Sequence, residues 1–117
     1  MSYKEKRSFA DRVEESRRVL TKHRDRIPII VEVAKSALRE FPPLIKHKYL
    51  VPTGMTVGQF LYTLRKQIVI PATTAVFLFV NGGQLPPTSL LIGQLYQKNK
   101  DDDGFLYATL HNESVFG

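Results

Sequence analysis

Residues 26–33 constrain the fold most, because both faces of this segment need cover. Its odd-numbered positions are all isoleucine or valine, and its even-numbered positions are half apolar, with Pro28 and Ile30 before Glu32. Side chains alternate between the two faces of a strand, and β-branched residues favour that conformation. The segment is therefore predicted to be a strand with one layer of structure packed on each side.

A capped helix is the clearest second element. Thr56 and Gln59 have the spacing of a capping box, and apolar residues follow at helical intervals up to Ile68. This helix is predicted to cross the sheet. Ser8 and Asp11 similarly indicate the start of a helix over residues 9–23, with Phe9, Val13, Arg17 and Leu20 on one face, and a shorter helical turn over residues 2–7.

The remaining elements follow from composition and turn residues. Strands are predicted at 46–52, at the almost wholly apolar segment 75–80 and at 105–110. Thr88 or Ser89 is expected to cap a short helix ending at Tyr96, residues 98–104 to form a polar loop, and residues 34–45 to be irregular. The order of elements predicts one α+β domain: a four-stranded β-grasp sheet with a crossing helix and a helical addition at its N-terminus.

Charge and composition limit the classes of function. Residues 1–66 hold 15 Lys and Arg against 7 Asp and Glu, a net +8, and residues 67–117 hold 2 against 4, a net −2, which gives the total of +6. The basic part favours nucleic acid, anionic lipid or acidic peptides as partners, or simply a solvated helix face. The chain contains no cysteine, which excludes disulfides and thiolate metal sites, and it has no apolar run of the ~20 residues that span a membrane.

Motifs of enzymes are absent. The sequence has no G-x-S-x-G, no phosphate-binding glycine loop and no dinucleotide fingerprint. His23, His47 and His111 lack metal-ligand spacing and are predicted to be ordinary surface residues, and the run of aspartates at 101–103 is predicted to be a solvated turn. We therefore expect no catalysis, no metal site, no cofactor and no specific nucleic acid partner.

The final glycine, Gly117, follows a segment that is predicted to be an extended tail. Glycine has no Cβ beside its carbonyl group, so it can enter a narrow enzyme cleft and leave that carbonyl open to a thiol or an amine. The tail is therefore predicted to be a substrate for conjugation.

Seven short motifs in order extend this interpretation: Arg26-x-Pro28-x-Ile30-x-Glu32, Lys48-Tyr49-Leu50-Val51-Pro52, Thr56-Val57-Gly58-Gln59-Phe60, Arg65-Lys66, Phe79-Val80-Asn81, Leu85-Pro86-Pro87-Thr88 and Gly104-Phe105-Leu106-Tyr107. Together they resemble the autophagy ubiquitin-like modifiers, the family that includes GABARAP. The resemblance implies a helical extension at 1–25 packed on the core, a ubiquitin-like domain at 26–111 and a flexible conjugation tail at 112–117.

The resemblance also implies a reaction in which the chain is the substrate. An activating enzyme would adenylate the Gly117 carboxylate, a partner's cysteine would hold it as a thioester, and a conjugating enzyme would pass it to the amine of phosphatidylethanolamine. A processing cysteine protease would expose the glycine in a longer precursor. We expect a monomer that is cytoplasmic, and bound to autophagosomal membranes when it carries the lipid.

A docking function is implied as well: receptors with an aromatic-x-x-aliphatic motif would add as a strand beside residues 46–52. Residues that match the family's aromatic pocket are Glu15, Val19, Pro28, Ile30, Lys48, Leu50 and Phe105. Those that match its aliphatic pocket are Tyr49, Val51, Pro52, Met55, Phe60, Thr63 and Leu64. A charged rim would contain Arg26, Lys46 and Arg65.

The sequence departs from the family at a few positions. Thr63 replaces an apolar residue and Gln67 a basic one, which predicts a more polar aliphatic pocket and a weaker acid-binding rim. Residues 34–45 are about two residues longer than in close relatives, and the turn at 82–84 is about one longer. The alternative function is that of an unconjugated basic adaptor that binds microtubules or RNA through its N-terminal helices; a hydrolase lacks a visible nucleophile and base.

Overall fold

The computed structural model describes residues 2–113. Its helices are α1 (Tyr3–Lys6), α2 (Phe9–Lys22), α3 (Val57–Ile68) and α4 (Ile92–Asn99), and a single 3-10 turn spans Lys35–Ala37. Its strands are β1 (Arg26–Val33), β2 (Lys48–Pro52), β3 (Phe77–Val80) and β4 (Leu106–His111). Within residues 2–113, no helix is long and apolar enough to cross a membrane.

The strands form one mixed sheet in the order β2-β1-β4-β3. β1 runs antiparallel to β2 and parallel to β4, and β3 runs antiparallel to β4. The position of Pro28 fits this arrangement. Main-chain groups of odd-numbered residues in β1 bond to β2, so those of even-numbered residues point towards β4. Pro28, which has no N–H to donate, lies just before the pairing with β4 begins at Ile29. The predicted four-stranded β-grasp sheet is confirmed.

The odd-numbered face of β1 carries the main core. Ile29 and Val31 are buried there with Phe60 and Leu64 of α3. The Thr56 hydroxyl accepts the Gln59 N–H at 3.1 Å and the Gln59 side chain accepts the Thr56 N–H at 2.9 Å, so the capping box that predicted α3 is confirmed. A helix with this apolar stripe packs across the sheet because that burial is its main source of stability.

The even-numbered face of β1 is covered by α2, which packs against that strand. Pro28 and Ile30 are fully buried there. The side of α2 that is buried differs from the prediction, however, because Phe9 remains 52% exposed whereas Arg12 and Ser16 are buried. The predicted stripe was wrong in part: Val13 and Leu20 are partly buried, but Phe9 and Arg17 are exposed, because the helix packs through polar partners as well as apolar ones.

Those partners lie in the loop before β4. Asp103 is 1% exposed, and its carboxylate accepts from the Arg12 guanidinium at 2.7 Å and from the Phe105 N–H at 2.8 Å. Its carbonyl accepts from the Ser16 hydroxyl. Gly104, at φ +92°, is needed here because a Cβ would lie 2.3 Å from the Ser16 oxygen. The predicted solvated turn at 101–103 was therefore wrong for Asp103.

Several predicted boundaries also require correction. α4 is preceded by Leu91 as its N-cap rather than by Thr88 or Ser89, because the Thr88 and Leu90 carbonyls accept bonds from the start of α3 and hold this segment extended. The later start and end of α4 shorten the predicted loop at 98–104. His111 is buried against the Phe79 ring, with centroids 4.9 Å apart, so it is not the predicted surface histidine.

We expect Asp103→Asn to lower the free energy of unfolding by roughly 2–4 kcal/mol, because it leaves the buried Arg12 guanidinium without its counter-charge. Denaturant unfolding followed by circular dichroism measures the change. Asp102→Asn is the matched control: it alters an exposed carboxylate in the same loop and should change stability by less than about 0.5 kcal/mol. Equal stabilities for the two variants would contradict the assigned role of Asp103.

Candidate functional site

β2 forms an edge of the sheet and offers unpaired main-chain groups. The Val31 N–H donates to the His47 carbonyl at 2.8 Å, and the Thr53 N–H donates to the Asp25 carbonyl at 3.0 Å. Bonded pairs alternate in an antiparallel ladder, so the N–H and C=O groups of Lys48 and Leu50 point away from β1. This edge can therefore accept an additional strand.

The residues expected to form the aromatic pocket come together on the even face beside this edge. Lys48 and Leu50 of β2 pair with Ile30 and Pro28 of β1. Ile30, Pro28 and Phe105 are buried, whereas Leu50 is 37% exposed. Glu15 and Val19 lie one turn apart on α2 and are partly buried. Pro28, Ile30 and Phe105 thus form an apolar floor. Glu15 and Val19 of α2 lie on one side of it, and Lys48 and Leu50 of the open strand lie on the other.

Glu15 is the polar centre of this area. Its carboxylate accepts from Lys48 Nζ at 2.7 Å and from the Tyr3 hydroxyl at 2.9 Å, and it lies 3.3 Å from an Arg7 nitrogen. Burial alone would raise the pKa of Glu15, but the hydrogen bonds from Lys48 and Tyr3 outweigh it and lower that pKa. Burial, with the Glu15 carboxylate as a further cause, raises the pKa of the Tyr3 hydroxyl to about 12. The cluster therefore stays a charged Glu15 with a neutral Tyr3 near pH 7.

Tyr3 and Arg7 are members of this area that the sequence did not reveal. The Tyr3 ring meets the Phe105 ring edge to face, with centroids 5.6 Å apart, and the Tyr3 N–H donates to the Glu32 carboxylate at 2.8 Å. α1 is thus attached to both the floor and the polar centre of the pocket. An aromatic residue in a short capped turn was the only signal in the sequence, and it does not specify a partner.

The residues expected to form the aliphatic pocket lie on the other side of β2. Four of them belong to the core between β2 and α3: Tyr49, Val51, Phe60 and Leu64. Pro52, Met55 and Thr63 instead line an open cavity of about 690 Å³ with Gln59 and Tyr62. The Thr63 hydroxyl donates to the Gln59 carbonyl at 3.0 Å, so its hydrogen bond is made within α3.

The three rim residues have different surroundings. Arg26 is exposed at the start of β1, opposite Pro52. Lys46 is exposed, with its Nζ 4.7 Å from the centre of the Tyr49 ring. Arg65 donates to the carbonyls of Thr74 at 3.0 Å and Pro71 at 3.2 Å and so fixes the loop after α3. Arg26 and Lys46 are therefore the rim cations with the freedom to meet a ligand.

The geometry of the β2 edge favours peptide binding. Residues 2–113 contain no group of three or more His, Asp or Glu side chains placed to hold a metal ion. The site instead combines an open strand edge with apolar surfaces on both sides, which is the arrangement that binds extended peptides. The predicted conjugation residue, Gly117, lies outside the described residues.

Comparisons with known proteins identify the family. The family model described as autophagy protein Atg8, ubiquitin like, matches residues 11–117. Autophagy-related protein 8 of Candida glabrata is 47% identical over 116 residues, which cover 99% of this chain and 96% of the relative. Autophagy-related protein 8a of Arabidopsis thaliana is 46% identical over 116 residues, covering 99% and 93%.

A solved structure agrees with this match. Plasmodium falciparum Atg8, in complex with a Plasmodium falciparum Atg3 peptide, has a TM-score of 0.89 and 35% identity over 99% of each chain. The resemblance found in the sequence motifs is confirmed, as is the expectation that the chain is not an enzyme. The chain belongs to the Atg8 family of ubiquitin-like autophagy proteins.

Proposed function

We propose that this chain is a modifier conjugated through Gly117 to phosphatidylethanolamine, and that it recruits autophagy receptors through the β2 edge. The observation that carries the docking part is the open edge at Lys48 and Leu50, flanked by apolar surfaces in a member of the Atg8 family. The conjugation part is supported by the family match, which extends to residue 117.

In the docking step, a receptor segment pairs with the outward N–H and C=O groups of Lys48 and Leu50. Its aromatic side chain occupies the area above Pro28, Ile30 and Phe105. Its aliphatic side chain, three positions later, lies at the margin formed by Pro52, Met55 and Thr63. Burial of a ligand tryptophan removes about 150–250 Å² from water, worth roughly 4–6 kcal/mol before ordering costs, so the aromatic pocket dominates affinity.

Electrostatics assist the same ligands. Arg26 and Lys46 are exposed beside β2 and attract acidic residues that flank the motif. Lys48 is already paired with Glu15, so it contributes a fixed contact rather than a free charge. The two cations therefore favour motifs with acidic flanks chiefly by raising the association rate and by orienting the ligand. This electrostatic contribution weakens as salt screens the charges.

In the conjugation step, an activating enzyme transfers AMP from ATP to the Gly117 carboxylate. An enzyme cysteine then displaces AMP to form a thioester, because this chain has no cysteine of its own. The lipid amine attacks the thioester carbonyl, an amide forms and the thiol leaves.

A conjugating enzyme of the Atg3 type is supported as a partner by the similar Plasmodium complex with an Atg3 peptide. A cysteine protease would expose Gly117 in a longer precursor, and conjugation would move the protein from the cytoplasm to autophagosomal membranes.

We expect Gly117→Ala to abolish or nearly abolish lipid conjugation, because the added Cβ crowds the carbonyl that the thiol and the amine attack. The measurement is the gel shift after incubation with activating and conjugating enzymes, ATP and phosphatidylethanolamine vesicles. Ser114→Ala, which keeps the glycine, is the control and should conjugate at the wild-type yield.

Full conjugation of Gly117→Ala would refute the proposed chemistry. The alternative of an unconjugated basic adaptor depends on exposed cations of α2, namely Arg17, Arg18 and Lys22. It predicts salt-sensitive binding to RNA or microtubules without any gel shift in the wild-type chain. Comparing the wild-type chain with Gly117→Ala in the gel-shift and salt-dependent binding assays therefore distinguishes the two functions.

We expect Leu50→Ala to weaken binding of an aromatic-x-x-aliphatic peptide by at least about tenfold, or about 1.4 kcal/mol, because Leu50 is the exposed apolar wall beside the ligand's aromatic group. Calorimetric titration measures the affinity. Thr63→Val is the matched control on the other side of β2. It should change affinity by less than about threefold, towards tighter binding, because it removes a hydroxyl near the aliphatic group. Unchanged affinity in Leu50→Ala would remove the pocket assignment.

A further inference from the structure

The connection between β1 and β2 exposes two large apolar side chains. Leu38 is 58% exposed and Ile45 is 100% exposed. Exposed cations surround them in the chain: Lys35, Arg39 and Lys46. Residues 34–47 hold these three cations and one carboxylate, Glu40, so their net charge is 3 − 1 = +2 with histidine neutral. The core does not account for Leu38 or Ile45, although Ile45 lines a cavity with Arg7 and Lys48 at the border of the proposed peptide site.

This connection is attached firmly to the body of the protein. Ala37 and Phe41 are buried in the main core. The Ala34 N–H donates to the Leu110 carbonyl at 3.0 Å, and the Glu40 N–H donates to the Ala37 carbonyl at 3.0 Å. Leu38 and Ile45 are therefore exposed next to anchored residues, and their exposure is a feature of the folded state rather than of a detached loop.

The connection also lies beside the end of the last strand. Leu110 of β4 bonds to Ala34, and Thr109 lines a cavity of about 790 Å³ together with Leu38, Phe41 and Leu44. Six residues, 112–117, follow the end of β4. A chain of that length spans at most about 20 Å. A group attached to Gly117 therefore stays within about 20 Å of the end of β4, and Leu38 shares a cavity with Thr109 near that end.

We propose that this connection is a membrane-contact surface, in which Leu38 and Ile45 enter the interface of the bilayer that carries the conjugated chain. Lys35, Arg39 and Lys46 then bind its anionic headgroups. The inference depends on the proposed conjugation at Gly117. Apolar side chains among cations match an anionic bilayer, where the apolar groups leave water and the cations remain among phosphates. Attachment through the short tail makes the contact intramolecular, so a weak surface is sufficient.

Acidic groups also lie near this surface, and their charge opposes that of the three cations. Glu32 and Glu5 line the same cavity as Leu38; Glu32 accepts the Tyr3 N–H and Glu5 accepts the Ser2 N–H at 2.8 Å, bonds that position the two carboxylates without neutralising them. Glu113 is exposed beyond β4 and Glu40 lies within the connection. Leu38 and Ile45 are thus the features most available to a flat partner, and the exposed Lys35, Arg39 and Lys46 lie in the same connection.

The test uses the absence of tryptophan and cysteine from the chain. Ile45→Trp introduces a single fluorescent probe, and Gly117→Cys allows coupling to a maleimide lipid in phosphatidylcholine vesicles with or without phosphatidylserine. On anionic vesicles we expect the emission of the probe to shift to shorter wavelength and to be quenched by lipids brominated along their acyl chains. Replacing Lys35, Arg39 and Lys46 by glutamine should reduce both effects.

Phe9→Trp is the control, because Phe9 is also an exposed apolar residue, at 52%, but lies on α2. Its emission should remain that of a solvated residue after coupling. A blue shift and quenching at position 9 instead of position 45, or no change at position 45, would overturn the proposal. Thiol coupling bypasses the conjugating enzymes, so failure of the enzymatic reaction would reject the proposed function while this measurement still decides the membrane contact.

Discussion

The rest of the structure depends on β1 being apolar on both faces. A strand with one solvent-exposed face needs a single covering layer. Because β1 buries Ile29 on one face and Ile30 on the other, it needs two covering layers. α3 supplies the first layer through Phe60 and Leu64. α2 supplies the second, so the N-terminal helices complete the fold of a sheet that would otherwise expose an apolar face.

α2 is held on that second face by a polar contact rather than by a long apolar stripe. The buried pair of Arg12 and Asp103 joins the helix to the loop before β4, and the same carboxylate accepts the Phe105 N–H. A buried pair stabilises only when its remaining polar atoms are also bonded, and Tyr107 supplies a further donor to Asp103. The position of Phe105 in the pocket floor is thereby coupled to the position of α2.

The candidate site is the part of the second face that α2 leaves open. Cover is complete over Ile30 but incomplete over Leu50 of β2, the strand at the edge of the sheet. An apolar floor, exposed strand groups and the Glu15 cluster meet there. Peptide binding would complete the same layer that α2 begins. This explains why Tyr49, a core residue, and Leu50, a residue of the candidate site, are neighbours in sequence.

Sequence reasoning predicted what local patterns determine. Period-two alternation identified β1, and the Thr56 and Gln59 cap identified α3 to within a residue. It missed pairs that only the folded chain brings together: Arg12 and Asp103 are 91 residues apart, and Tyr3 and Glu15 lie on different helices. The cap of α4 was missed because bonds from α3, rather than a local side chain, hold the preceding residues extended. The pocket residues came from family motifs, since alternation alone does not separate a buried core position from the floor of a pocket.

Amide hydrogen exchange resolved by residue shows whether a ligand strand pairs with the open edge of β2. In the free protein the amides of Tyr49 and Val51, which face β1, should already exchange slowly, whereas those of Lys48 and Leu50 should exchange quickly. Saturation with an aromatic-x-x-aliphatic peptide should slow exchange at Lys48 and Leu50 and leave Tyr49 and Val51 almost unchanged. Fast exchange at both Lys48 and Leu50 while the peptide remains bound would contradict the account.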